Sequence, residues 1–282
     1  MQNQFENNAD FLLFRLERNA VLAKRPNGKF INRQERRLIS KLKGIWKWQA
    51  EYVIDKMKNV SIFRQQKVSA NAVEDEFNRI INNLVGKQAL TEEILFYMSV
   101  SMDKGGTTSV KKLKLLQFGI SFDLKNKKAI DFLNAKKTLE LSNYRGNIHS
   151  TTQDALRKIL LDAANSGQSY QETAKLIALQ GQAGVFSPAR GQLIATREIG
   201  VAYETGNNIP IQDFQLKYPD REVRKWWQTV GDNNVTPECK ENQEASDDAG
   251  GLNIAAPFPS GDDHAPRYGN PRCRCRTEYE IQ

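Results

Sequence analysis

The chain has 282 residues, a mean hydropathy of −0.60, and 41 Lys and Arg against 33 Asp and Glu. No apolar run approaches the roughly 18–20 residues that cross a bilayer. The opening MQNQFENNADFLLFRLER lacks the basic start of a secretory signal, so synthesis in the cytosol with no membrane partner is expected.

Charge is unevenly placed. Residues 1–68 hold fifteen Lys and Arg against six Asp and Glu, an excess that accounts for the whole net charge of +8. Such a segment attracts polyanions, with nucleic acid the first candidate. After a turn at Arg25-Pro26-Asn27-Gly28, the spacing of Leu38, Leu42, Ile45, Trp46, Gln49, Tyr52, Val53 and Met57 predicts a helix from Asn32 to Lys58, with Asn32 as its cap. Arg33, Arg36, Arg37, Lys41, Lys43 and Lys47 fall on this helix as candidate contacts to double-stranded DNA or a protein partner; a solvated helix face is the plainer reading. Trp46 and Trp48 leave the helix roughly 200° apart, so only one can face the core fully.

A second helix is predicted over 70–85, ended by Gly86, and a third begins near Thr91. Asp103-Lys104-Gly105-Gly106-Thr107-Thr108-Ser109 reads as a linker, since glycines and small hydroxyl residues resist helix and strand. This divides the chain into a basic helical region 1–110, a helical core 111–207 and a small β module 208–282. Within the core, helices are expected over 126–141, over 151–165 ending at Gly167, from a Ser169 cap onward, and from Ser187-Pro188 to Thr205 with Gly206 past the last turn.

Beyond Gly206 the texture changes. Lys225-Trp226-Trp227-Gln228-Thr229-Val230 favours a strand, and 274–282 alternates, with Cys275, Thr277, Tyr279 and Ile281 on one face. Between them, eight acids from Asp232 to Asp263 face one base, Lys240, in what reads as a long solvated loop. The expected class is α+β, mostly α: a helical body with a small antiparallel β module at the C-terminus.

Three cysteines, Cys239, Cys273 and Cys275, are too few for a disulfide framework. With His264 they have the residue types of a Cys3His zinc site. Alternate residues of a strand, however, lie about 6.5–7 Å apart, whereas thiolates around zinc sit nearer 4 Å from one another. Core packing is therefore the preferred reading, with no cofactor; structural zinc and a disulfide to Cys239 stay open. Catalytic inventory is poor. Of two histidines, His149 and His264, neither sits in a His-Glu-x-x-His run, and no G-x-S-x-G or P-loop is present. A zinc-containing hydrolase or toxin-like domain ranks last, and no catalytic residue is assigned. Arg197 and Glu198 occupy adjacent helix positions that diverge, so one of them is expected to bond to a neighbouring element such as the Asp232 turn.

FDLKNKKAIDFLN (122–134), the Asn165-Ser166-Gly167-Gln168-Ser169 helix end and ARGQLIATREIGVAYETGN (189–207) follow one another in an order that resembles the phage head morphogenesis domain of Mu F-like minor head proteins. The resemblance runs over roughly 118–276. It continues through the Trp-bearing strand (Trp226, Trp227), the Asp turn at Asp232, the Gly/Pro-rich loop around Gly261, and the Cys273-Arg274-Cys275 close. Arg197 and Glu198 belong to the same pattern. Two departures stand out: Thr236-Pro237 replaces a Cys or basic residue after the Asp turn, and His264 lies upstream of the final cysteines rather than directly before them. The resemblance implies a non-enzymatic, low-copy virion protein at the portal vertex or head interior of a tailed bacteriophage. Its partners would be the portal protein, capsid or scaffolding proteins and packaged DNA.

Overall fold

The apolar stripe of the 32–58 segment is realised in a longer helix. A computed structural model describes residues 28–60, 63, 70–138, 148–266, 270 and 272–282, and its first helix, α1, spans Gly28–Met57. It starts before the expected Asn32 cap, and the Arg25–Asn27 part of the expected turn lies outside the described residues. Leu38, Leu42, Trp46, Val53 and Met57 are buried, whereas Trp48 is 50% exposed. The two tryptophans part as the helical angle requires.

The helices that follow are α2 (Ala70–Asn82), α3 (Lys87–Lys112), α4 (Lys127–Thr138), α5 (Ile148–Asn165), α6 (Tyr170–Ala183) and α7 (Pro188–Lys217). A 3-10 turn at Leu115–Phe118 lies between α3 and α4. The chain closes with β1 (Val223–Gln228), α8 (Pro237–Asp248), β2 (Leu252–Asn253) and β3 (Arg276–Ile281). The protein is thus mostly helical with a small antiparallel sheet near the C-terminus, strand order β2-β1-β3. No described helix is long and apolar enough to cross a membrane.

Among the described residues, one compact unit draws on the chain up to Arg37, on Phe96–Asn134 and on Leu193–Gln282; the other draws on Leu38–Leu95 and Ala135–Gln192. In the second unit, Phe77, Ile81, Ile94, Leu156, Leu160 and Ile177 join the buried face of α1. Ser169 caps α6 in a full capping box with Glu172, as the sequence suggests. Arg190, in the first turn of α7, is the polar tie. It donates to the carbonyls of Ile148 (2.8 Å) and Val185 (2.6 Å) and to Thr152 Oγ1 (2.9 Å). Burial lowers its pKa to about 10.

The first unit corrects three expectations. Residues 103–109 are not a linker but part of α3. Their glycines serve close packing: a Cβ on Gly105 would stand 2.0 Å from the Tyr203 carbonyl oxygen, and one on Gly206 would stand 2.1 Å from that of Met102. The two helix backbones touch where only hydrogen fits between them. Gly206 therefore does not end its helix, and α7 runs on to Lys217 through Pro210. Lastly, the acidic stretch after Asp232 is not all loop, because it contains α8. That helix buries Cys239, Asn242 and Ser246, an inward stripe of small and polar residues that hydrophobic periodicity does not register.

Candidate functional site

β1 is the hub of the C-terminal module. Its inward residues are Val223, Lys225 and Trp227. In antiparallel register Lys225 faces Tyr279 and Trp227 faces Thr277. Trp227 is fully buried, stacks edge-on against Phe258 with ring centroids 5.0 Å apart, and its backbone N–H donates to Ser246 Oγ at 3.1 Å. Trp226 looks to the other side and lies flat against Gly251, where a Cβ would come within 2.5 Å of the indole and φ is +91°. The module also holds on to α7. Asn207 donates to the Thr277 carbonyl (3.3 Å), Thr277 N–H reaches Glu204 (3.4 Å), and Tyr279 donates to Asn208 (3.1 Å).

Trp227, Phe258 and Ala265 form one buried cluster with all three cysteines. None of the three is disulfide-bonded, and their sulfurs all lie within 4.8 Å of one another. Cys239 and Cys273 approach to 3.8 Å. The spacing objection raised by an extended Cys-x-Cys does not apply, because β3 begins only at Arg276. Cys273 and Cys275 sit in the irregular segment before it and both turn inward. Cys239 occupies the first turn of α8, where Thr236 Oγ1 lies 3.4 Å from its sulfur.

Contacts with the other two thiols lower the Cys239 pKa. The same contacts, with burial, push Cys273 up to about 12 and Cys275 up further.

His264 does not join this trio. Its Nδ1 lies 2.7 Å from the Ala265 carbonyl oxygen, and burial lowers its pKa. Nothing is described of the side chain of His149. Gly261 has φ +81° in the turn that brings Ser260 to Asn242, with Asn242 Nδ2 donating to Ser260 Oγ at 2.8 Å.

Arg197 and Glu198 are both buried on α7 and pair with each other, Nε to Oε1 at 3.7 Å. Their Cβ vectors diverge as expected, but the long arginine side chain closes the gap. The Asp232 turn finds Arg274 instead, at 3.3 Å. Arg33, Arg36, Arg37, Lys41, Lys43 and Lys47 are all exposed. Lys41 also meets Glu93 at 3.1 Å, and Lys47 meets Glu51 at 3.8 Å.

Sequence reasoning missed Lys225 as more than a strand residue. It is 1% exposed, donates to the Asp263 carbonyl at 2.7 Å and lies 4.8 Å from the Phe258 ring centroid. Burial, partly opposed by Asp263, lowers its pKa to about 8. Its position on the inward face between Val223 and Trp227 was the available signal.

Comparison with protein-family models, with curated proteins and with solved structures yields no match to this chain.

Proposed function

We propose that this protein is a structural minor head protein of a tailed bacteriophage, of the Mu F-like kind, associated with the portal during head assembly. The reading rests on the ordered motifs between 118 and 276. Its strongest support is that the residues of those motifs serve as joints rather than as a reactive centre. Asp232 pairs with Arg274 of the Cys-Arg-Cys close, Gly206 and Asn207 of the ARGQLIATREIGVAYETGN segment seat α7 against α3 and β3, and Trp226 and Trp227 build the two sides of the sheet. A scaffold with tightly specified joints suits a part that must fit other subunits. The portal protein and the packaged genome are its partners under this reading, and the virion head is its location. Co-purification of the chain with the portal from cells assembling particles tests it. A stable complex is the expected result, and a chain that never co-purifies with the portal contradicts it.

A second reading, a nucleic-acid-binding protein acting through the basic N-terminal segment, is favoured by one observation. All six basic residues named on α1 present their side chains to solvent. Under it, DNA binding weakens steeply with salt. Replacing Arg33, Arg36, Arg37, Lys41, Lys43 and Lys47 with Gln makes the salt dependence shallower. An unchanged slope in that variant removes α1 from the interface.

A further inference from the structure

We propose that Cys239, Cys273 and Cys275 are the three protein ligands of a structural zinc ion that fastens the start of α8 to the segment leading into β3. Three features of the site carry this. Cys239 lies 34 residues before Cys273 in the chain, yet the three sulfurs converge on one another rather than dispersing into the surrounding hydrocarbon, all lying within 4.8 Å. The Cys239–Cys273 separation of 3.8 Å equals the edge of a tetrahedron with bonds of about 2.3 Å, the zinc–thiolate length. Thr236 Oγ1 also lies 3.4 Å from the Cys239 sulfur, within hydrogen-bond reach of it. Hydrogen bonds of that kind from outside the ligand set orient ligands and tune the metal.

Soft thiolates select zinc over the oxygen-seeking cations. Burial of all three cysteines under Trp227 and Phe258 shields the ion from solvent, which fits a structural role. The cysteines supply three of the four corners, and His264 stands apart from the trio. Binding releases the thiol protons to solvent as the thiolates form, so no oxidant or reductant is needed. The site is independent of the head-protein reading: a chain that holds zinc here but never enters heads keeps this proposal and loses that one.

The test uses the full chain, purified reduced, loaded with zinc alone and then dialysed. Elemental analysis is expected to find about one zinc per chain. Cobalt in place of zinc is expected to give a thiolate-to-metal charge-transfer band in the near ultraviolet. Cys273→Ser and Cys275→Ser are expected to lose both signals, whereas His264→Ala keeps both. Should the serine variants not fold, the wild-type chain still decides the matter, since chelation must lower its melting temperature and added zinc must restore it. Zinc content near zero in folded, reduced wild-type protein overturns the proposal. Full zinc content in a folded Cys273→Ser/Cys275→Ser double variant, or its loss in a folded His264→Ala variant, overturns the ligand set.

Discussion

Arg274 Nη1 stands 3.3 Å from Asp232 Oδ2, with the two side chains 3% and 6% exposed. The contact joins the turn after β1 to the segment before β3, and it places the charged middle of Cys-Arg-Cys against the one acid of the preceding turn. A buried pair is costly to assemble but more costly to break, because removing one partner takes the counter-charge from the other. Asp232→Ala should lower stability by about 3–5 kcal/mol in urea denaturation. Removing Arg274 as well, as Asp232→Ala/Arg274→Leu, should recover part of that loss. A change in Asp232→Ala within about 0.5 kcal/mol, the range of ordinary surface substitutions, would show the pair to be incidental.

The helix glycines divide into two kinds. Gly44, on α1, has open space where a Cβ would stand, whereas Gly105 has the Tyr203 carbonyl oxygen 2.0 Å away. Alanine at Gly44 should stabilise the chain by about 0.8–1 kcal/mol through helix propensity alone. Alanine at Gly105 gains the same propensity but must push two backbones apart, and overpacking of that sort costs about 1–3 kcal/mol or more. Thermal melting of both variants checks the contrast. A stabilising Gly105→Ala would mean that α3 and α7 do not meet there.

Lys225 makes stability depend on pH in a definite direction. Burial lowers its folded pKa to about 8, below the ordinary lysine value of about 10.4. Below about pH 8 it is charged in both states, and the cost of burying that charge is fully present. Between the two values the unfolded chain holds a proton that the folded chain has shed, so stability rises with pH. The rise should amount to about 2–4 kcal/mol relative to Lys225→Met, which lacks the group. Denaturation profiles of both proteins from neutral to alkaline pH measure the difference. Parallel profiles would contradict the burial of the ammonium group.

Acid should act on α6 through its cap. The Glu172 carboxyl is held below the usual carboxylate range by the backbone N–H and hydroxyl of Ser169. Its contribution is therefore complete above the unfolded value and disappears as pH falls through the lower folded one. Glu172→Gln should be less stable than wild type near neutral pH, with the gap closing on acidification. Ser169→Ala should cost about 1 kcal/mol near neutral pH and less on acidification, because its hydroxyl also donates to the Glu172 carboxylate. Melting curves of the three proteins across the acid range provide the check.

Legibility in the sequence followed the physics of each element. The buried stripe of α1, the Ser169 cap, the Ser187-Pro188 start of α7, and β1 and β3 were readable because apolar spacing and capping residues act locally. α8 was not, because Cys239, Asn242 and Ser246 point inward and offer no hydrophobic period. Gly105-Gly106 and Gly206 carried the same letters as a linker and a helix stop; only the neighbouring backbone distinguishes those roles from a tight helix crossing. At the candidate site the residue types were evident, but the convergence of the three sulfurs depended on β3 starting at Arg276 rather than at Arg274. The partnership of Asp232 with Arg274, and not with Arg197, likewise required three-dimensional placement.

The most direct test of the head-protein reading is quantitative mass spectrometry of heads purified from cells that produce this chain along with the particle's other components. The account predicts the chain in DNA-filled heads at a low, fixed ratio to the portal protein, still present after a high-salt wash. Its absence from purified heads, with the folded chain abundant in the lysate, would contradict the account.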